Sequence, residues 1–405
     1  MNEEHIEIME TVVKKYQRQL LDQAQHIYYE NPITEATQKA YLTTPRHLFV
    51  KRYREWEIKE WNEVNEDNLE SHLAKLYGDR PLILFGDDRD NVLSTISQPS
   101  FVLRMLDMLQ LNPGQKVFEL GAGSGWNAAL MGHLVGPEGR VYSLEIIPDV
   151  ARMAAATIEQ LGIKNVSIIE ADGGEGYATG APYDRAIFTA GAYDLPHHFF
   201  KQMKNGGLLL IIIKNEGGGD NLFLLRKTSD HFESLESMTC YFVQMTGKYK
   251  ITDLDPITLE TWSEWPELKE HEVAKRKFWW GGKGKLDFAQ RTLGIRSFLN
   301  ITEPFFKTFK REKTGEQSYE EQYFGLWDKE NLSLVIAKDD ILTSYGNLIA
   351  EQRLMEDIGS WVNLGMPTAA SFELKVYPLH IPLSVSENQW IVKRNESQFL
   401  WILKI

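Results

Sequence analysis

The stretch Phe118-Glu119-Leu120-Gly121-Ala122-Gly123-Ser124-Gly125 constrains this chain more than any other. Lys116-Val117-Phe118-Glu119-Leu120 reads as a short apolar strand, and a helical run from Trp126 to Leu134 follows the glycines. Three glycines at alternate positions between a strand and a helix let the backbone bend sharply and approach a ligand closely. The spacing is G-x-G-x-G, shorter than the G-x-G-x-x-G dinucleotide fingerprint. It suits a nucleoside that carries no pyrophosphate. A merely tight structural turn is the alternative.

The surrounding pattern decides what this turn belongs to. Arg140 to Leu144 reads as a second strand, Asp149 to Gln160 as a second helix and Val166 to Ile169 as a third strand. Arg185 to Thr189 follows the turn Pro182-Tyr183-Asp184, and Leu208 to Ile213 follows Asn205-Gly206-Gly207. Strands alternating with helices predict an α/β fold, a parallel sheet with helices on both faces. Ligands of such sheets sit at the carboxyl ends of the strands.

Two acidic residues fall at those ends. Glu145 ends the second strand, twenty residues after Gly125. A carboxylate there can accept from both hydroxyls of a ribose; a solvated carboxylate at a helix start is the plain alternative. Asp172-Gly173 follows the third strand. The Asp can accept from the exocyclic amine of adenine and the Gly leaves room for the ring, unless the two are a simple turn pair. Upstream lies Thr95-Ile96-Ser97-Gln98-Pro99. Pro99 suits the first position of a helix running to Leu109, with Gln98 or Ser97 as its cap.

The flanks read differently. Residues 4–30 form an amphipathic helix, with Ile6, Met9, Val13, Tyr16 and Leu20 at spacings of three and four. Trp56, Ile58 and Trp61 are expected to pack, and residues 1–80 read as a helical N-terminal cap. Beyond residue 250, Phe324-Gly325-Leu326-Trp327 and Leu332 to Ile336 predict a hairpin. Residues 347–364 predict a helix with Leu354, Ile358 and Trp361 on one face, stopped by Gly365 and Pro367. Phe372 to Val376 and Phe399 to Leu403 predict strands, so 250–405 reads as an α+β domain.

Several function classes are disfavoured. A net charge of −13 argues against broad nucleic-acid binding, which needs excess Lys and Arg. The single cysteine, Cys240, cannot make an internal disulfide or a thiolate cage, and reads as a small apolar residue rather than a nucleophile. His197-His198 is no metal pair by itself, because adjacent histidines on a helix point apart; no metal is expected. Met1-Asn2-Glu3-Glu4-His5 lacks the basic start and apolar run of a signal peptide, and no segment approaches the ~20 apolar residues of a membrane span. A cytoplasmic protein without membrane or nucleic-acid partners is expected. Lys275 to Lys285 mixes Lys, Arg, Trp and Gly, either as a solvated loop over core tryptophans or as a grip on an acidic peptide. Gly217-Gly218-Gly219 reads as a flexible turn.

Together these pieces resemble the protein-L-isoaspartate O-methyltransferase family over residues 38–247. The resemblance is carried by Pro45-Arg46-His47-Leu48-Phe49-Val50, Thr95-Ile96-Ser97-Gln98-Pro99, the glycine turn, Asp172-Gly173, Pro182-Tyr183-Asp184-Arg185, Thr189-Ala190 and Gly206-Gly207. It implies a Rossmann-like S-adenosylmethionine methyltransferase sheet over 81–249 and S-adenosylmethionine as cofactor. It implies that Ser97 holds the substrate carboxylate beside the methyl group. Ile96 and Ser97 would border the cofactor, and Glu119, Gly121, Ala122, Gly123, Ser124, Gly125, Glu145, Asp172 and Gly173 would hold it. The substrate would be an isoaspartyl or aspartyl side chain of a peptide or protein. Its ester would close to a succinimide by attack of the next backbone nitrogen.

The charged stretch from Phe85 to Ser94 departs from the small glycine-containing loop usual before Thr-Ile-Ser. Residues past 250 resemble the extension of related enzymes that mature ribosomally made peptides, which implies a role in substrate recognition. Repair of damaged proteins, tailoring of one Asp in a dedicated precursor peptide, an acidic one included, a small-molecule O-methyltransferase and a non-catalytic cofactor-binding protein are the readings that follow.

Overall fold

The computed structural model describes residues 3–56, 58–87, 91–216, 220–250, 254–278, 288–312 and 322–404, with side chains undescribed at 3–6 and 288–292. The chain divides into two compact units. The first comprises 1–212, 223–236 and 242–250; the second comprises 213–222, 237–241 and 251–405.

The first unit opens with helices α1 (Glu3–Ile27) and α2 (Glu35–Thr43), a 3-10 turn Arg46–Phe49 and the two-residue strands β1 (Arg52–Tyr53) and β2 (Asn62–Glu63). Then come α3 (Leu69–Leu76), the hairpin β3 (Leu82–Gly86) and β4 (Val92–Ile96), and α4 (Pro99–Leu109). The alternating core follows: β5 (Lys116–Leu120), α5 (Trp126–Val135), β6 (Arg140–Glu145), α6 (Pro148–Gln160), β7 (Val166–Glu170), β8 (Tyr183–Phe188), α7 (Phe199–Gln202) and β9 (Met203–Ile213). Strands β10 (Asp220–Lys227) and β11 (Phe232–Cys240) continue the sheet, in which these seven strands run in the order β11-β10-β9-β8-β5-β6-β7.

Strand β5 is central. It pairs in parallel with β6 on one side, Val117 opposite Val141 and Leu120 opposite Leu144, and with β8 on the other, Val117 opposite Arg185 and Leu120 opposite Phe188. Val117 and Phe118 are fully buried, as expected of a parallel strand covered on both faces. Phe118 packs between Tyr183 and Phe199, with ring centroids 5.3 and 5.2 Å away. The chain leaves β5 toward β6 and later returns to its opposite edge as β8, so the strand order reverses at β5. A crevice at the carboxyl end of such a strand is where ligands of open α/β sheets bind. Helix α6 buries Val150, Ala151, Ala154 and Ile158, the one-sided stripe of a helix on a sheet.

The second unit holds β12 (Ile257–Thr258), α8 (Trp265–Leu268), β13 (Glu272–Lys277), α9 (Phe288–Thr302), β14 (Phe306–Lys310), β15 (Gln322–Asp328), β16 (Ser333–Lys338), β17 (Ile341–Tyr345) and α10 (Ile349–Asn363). It ends with β18 (Phe372–Pro378), β19 (Gln389–Lys393) and β20 (Ser397–Leu403). The six strands order as β12-β14-β15-β16-β17-β13. The β15–β16 hairpin pairs Leu326 with Val335, and β20 pairs antiparallel with both β18 and β19. α10 buries Leu354, Ile358 and Trp361.

Four local expectations need correction. Trp56 and Ile58 are 49% and 41% exposed. They sit in coil between β1 and β2, and Trp61 alone is half-buried, beneath the Arg52 guanidinium at 4.2 Å. The charged stretch 85–94 is mainly the end of β3 and the start of β4, since Asp87 closes a turn by accepting from Asn91 N–H at 2.9 Å; residues 88–90 lie outside the described residues. Gln98 occupies the cap position of α4 but makes no side-chain capping bond. His197 and His198 lie in a turn before α7, not on a helix, and their ring centroids are 3.9 Å apart. Cys240 is half-buried, and burial pushes its thiol up to about 12, far from a reactive thiolate. The triglycine 217–219 and most of the basic stretch after Phe278 lie outside the described residues.

Candidate active site

At the carboxyl ends of β5 and β6 the first unit carries a cleft, the place where ligands of open α/β sheets bind. Its walls include Ser94 to Ser97, Glu119 to Ser124, Leu144 to Ile147, Asp172, Gly173, Thr189 and Val243 to Thr246. The structure therefore brings Ile96, Ser97, Glu119, Gly121, Ala122, Gly123, Ser124, Glu145, Asp172 and Gly173 to one place. Gly125 stands behind them: a Cβ there would touch Ala154 of α6 at 3.4 Å, so this glycine serves the turn and the helix packing.

The turn is held open by its backbone. Gly121 has φ +90° and Gly123 has φ +53°, the region that side chains disfavour. The amides of Gly121 and Ala122 donate to Leu144 O at 2.8 and 3.0 Å, which ties the turn to β6. A Cβ on Gly121 would lie 2.6 Å from Thr189 Oγ1, and that hydroxyl donates to Leu120 O at 2.9 Å. Trp126 begins α5 and donates from its indole to Thr44 O at 3.0 Å.

Glu145 is 5% exposed. Its Oε2 accepts from Gly123 N–H at 2.9 Å and its Oε1 from Ile147 N–H at 3.0 Å. Burial pushes its carboxyl up, and the backbone donors of Ile147, Gly123 and Ile146 oppose that. Each oxygen keeps acceptor capacity beyond these bonds. Asp172 is braced likewise: Oδ1 accepts from Gly174 N–H at 2.8 Å and Oδ2 from Lys248 N–H at 2.9 Å. Gly247 lets the chain pass so close, because a Cβ there would lie 2.3 Å from Asp172 Oδ2. A Cβ on Gly173 would meet Leu120 Cγ at 2.8 Å.

Glu119 is fully buried within β5. It accepts from Asn127 Nδ2 at 2.6 Å and from the Ser143 hydroxyl. Burial raises its carboxyl to about 7, against the lowering effect of Ser143 and Asn127, with Glu145 adding to the rise.

Ser97 is half-buried at the end of the β4 segment, and among the described residues its hydroxyl makes no hydrogen bond. Its carbonyl accepts from Arg46 Nη2 at 3.0 Å, and the same nitrogen reaches Ile96 O at 3.2 Å. Asp79 bonds the next turn, accepting from Ser100 N–H at 2.9 Å and from Gln98 Nε2 at 3.0 Å.

Sequence reasoning assigned no site role to Arg46, Asp79, Thr189, Gly247 or the stretch 243–246. The last reaches the cleft by backbone pairing, Gly191 N–H to Val243 O and Met245 N–H to Gly191 O, both 2.8 Å. The lone glycine after an apolar run was the only local signal at 247. Among the described residues, no three His, Cys, Asp or Glu are grouped to hold a metal ion, and no helix is long and apolar enough to cross a membrane.

Known proteins agree with this geometry. The family model described as Protein-L-isoaspartate(D-aspartate) O-methyltransferase matches residues 17–250. The protein-L-isoaspartate O-methyltransferase of Methanothrix thermoacetophila is 37% identical over 224 residues, covering 55% of this chain and 93% of its own length. That of Ignicoccus hospitalis is 39% identical over 166 residues, covering 41% of this chain and 67% of the relative. A solved structure described as a protein-L-isoaspartate O-methyltransferase aligns with TM-score 0.54 and 22% identity, over 91% of this chain and all of its own. That likeness concerns the fold, and it extends past residue 250. A family match over more than half the chain places it in the protein-L-isoaspartate(D-aspartate) O-methyltransferase family, methyltransferases whose methyl donor is S-adenosylmethionine.

Proposed function

We propose that this protein esterifies the free carboxylate of an isoaspartyl or aspartyl residue in a peptide or protein. The observation that supports this best is one cleft that combines the glycine turn, Glu145, Asp172 and the Ser97 segment. The residues suit the cofactor. Gly121, Gly173 and Gly247 permit the close internal contacts that shape the turn and seat Asp172, and Glu145 retains acceptor capacity for ribose hydroxyls after bracing the turn. Asp172 would take the adenine amine, and Gly121 to Ser124 would lie along the nucleoside.

S-adenosylmethionine supplies an electrophilic methyl group on a sulfonium. The chain's own work is orientation. A substrate carboxylate is already ionised at neutral pH, so no strong general base is needed. Ser97 donates a hydrogen bond to one carboxylate oxygen and aims the other at the methyl carbon. Held by the glycine turn, Glu145 and Asp172, the donor would pass its methyl group to that oxygen, the C–S electron pair remaining on sulfur. Fixing the reactants in line can lower the barrier by several kcal/mol. Excluding water strips a carboxylate of the shell that dulls it. Residues 251–405 would then contact the substrate as an accessory part. A second reading, methylation of one Asp in a dedicated peptide, is favoured by those residues lying beyond the family match.

The test uses labelled S-adenosylmethionine and two matched peptides, one with L-isoAsp and one with L-Asp at the same position, read as base-released methanol. Turnover of the isoAsp peptide is the expected result. Binding of cofactor without turnover of either peptide would favour the dedicated partner. Absence of cofactor binding would sink the proposal.

A further inference from the structure

We propose that Arg46 and Asp79 clamp the segment carrying Ser97, Arg46 at residues 96–97 and Asp79 at residues 98–100, and so set the alignment on which methyl transfer depends. This rests on the reading of Ser97 as the carboxylate-orienting residue.

Arg46 is fully buried. Its Nη1 donates to Leu76 O at 2.5 Å, and its Nη2 reaches Arg80 O at 3.2 Å, Ile96 O at 3.2 Å and Ser97 O at 3.0 Å. Its guanidinium carbon stands 5.7 Å from the centre of the Trp126 ring. None of these partners is a carboxylate. Burial pulls the guanidinium down to about 10, with Tyr41, Tyr77 and Asp79 opposing. Burying a charge this way is costly, and apolar residues of similar volume often fill such a place as well or better. What the charge gains here is four carbonyls, two of them belonging to Ile96 and Ser97.

Asp79 acts on the residues that follow Ser97. Helix α4 begins at Pro99 without a side-chain cap from its own neighbours. Asp79 supplies it: Oδ1 accepts from Ser100 N–H at 2.9 Å, and Oδ2 accepts from Ser100 Oγ at 2.7 Å and Gln98 Nε2 at 3.0 Å. A carboxylate at a helix N-terminus satisfies an otherwise unpaired amide and meets a favourable dipole. The five residues Leu76 to Arg80 thus present two carbonyls to Arg46 and one carboxylate to α4. Ser97 is fixed between them, although its own hydroxyl makes no bond among the described residues. A serine held by its own carbonyl on Arg46 and by Asp79 on the residues after it loses alignment when either contact is released.

The experiment is a double-mutant cycle on peptide methylation, using Arg46→Lys, Asp79→Asn and Ser97→Ala alone and in pairs, with cofactor affinity measured by calorimetry. We expect Arg46→Lys and Asp79→Asn each to lower kcat by roughly 10- to 100-fold. Cofactor Kd should stay within about threefold, and the same changes in the Ser97→Ala background should cost about twofold or less. Equal losses in both backgrounds would overturn the clamp, because the two residues would then act through general structure. Should Arg46→Lys fail to fold by thermal unfolding, the Asp79→Asn cycle decides alone. Should the unmodified protein methylate neither peptide, the reading of a dedicated partner is favoured, and amide hydrogen exchange decides the clamp. Faster exchange at residues 95–100 in Asp79→Asn, with β5 and β6 unchanged, supports it; unchanged exchange overturns it.

Discussion

Replacing Glu145 by Gln tests whether this carboxylate reads the cofactor or only braces the turn. In the protein both oxygens already accept a backbone N–H, from Gly123 and Ile147. A carboxylate offers about four acceptor sites, so about two remain for ribose hydroxyls. A glutamine offers one oxygen and an NH2 group. One of the two backbone amides then faces a donor, and the ribose loses at least one bond to an anion. A hydrogen bond to a charged group contributes about 1.5–3 kcal/mol, so cofactor Kd should rise about 10- to 150-fold. The apo protein should change less. An unpaired amide costs about 1–3 kcal/mol, but a neutral amide is cheaper to bury than the carboxylate whose pKa burial raises. Calorimetric titration of S-adenosylhomocysteine and thermal unfolding without ligand separate the two roles. Binding within about threefold of the unmodified protein, whatever the apo stability, would refute the ribose assignment.

Other perturbations probe the frame around it. Glu119 keeps its proton in the folded protein up to about pH 7, against 4.5 unfolded. Its contribution is therefore complete below pH 4.5 and is lost as pH rises to about 7, on the order of 3 kcal/mol. Glu119→Gln should flatten Tm against pH in that window, and an unchanged slope would refute the assignment. Gly121→Ala combines φ +90° with a 2.6 Å approach to Thr189 Oγ1, and should destabilise by about 2–4 kcal/mol. Adding Thr189→Ala should recover only the steric part, so complete recovery in urea unfolding would show that φ is not strained. Gly247→Ala puts a methyl 2.3 Å from Asp172 Oδ2. It should weaken cofactor binding about tenfold or more, and unchanged affinity would show that Asp172 is not positioned by that loop.

The parts of the fold legible in the sequence are those written locally. Strand β5 and its turn announce themselves because a parallel strand buried on both faces reads as an apolar run, and because alternate glycines mark a chain that must adopt positive φ. Glu145 is read from its distance to that turn, and Asp172 from its place after the third strand. The hairpin β3–β4 is hidden because the charged stretch in the sequence between Phe85 and Ser94 reads as a loop, and the Asp87–Asn91 bonds show the pairing. Trp56 and Ile58 mislead for the opposite reason: apolar side chains are common on surfaces, so hydrophobicity alone does not say which ones pack. The stretch 243–246 enters the cleft through backbone bonds to Gly191, some fifty residues away, which no side-chain pattern encodes. Arg46 is the sharpest case. A single arginine in a sequence reads as surface, since arginine is almost never buried without partners. Its partners here are backbone carbonyls of Leu76, Arg80, Ile96 and Ser97, groups every residue carries. Burial of that charge becomes favourable only once the fold has gathered them. A clamp built from carbonyls therefore leaves only its cation in the sequence, and finding it requires asking what each buried charge is bonded to.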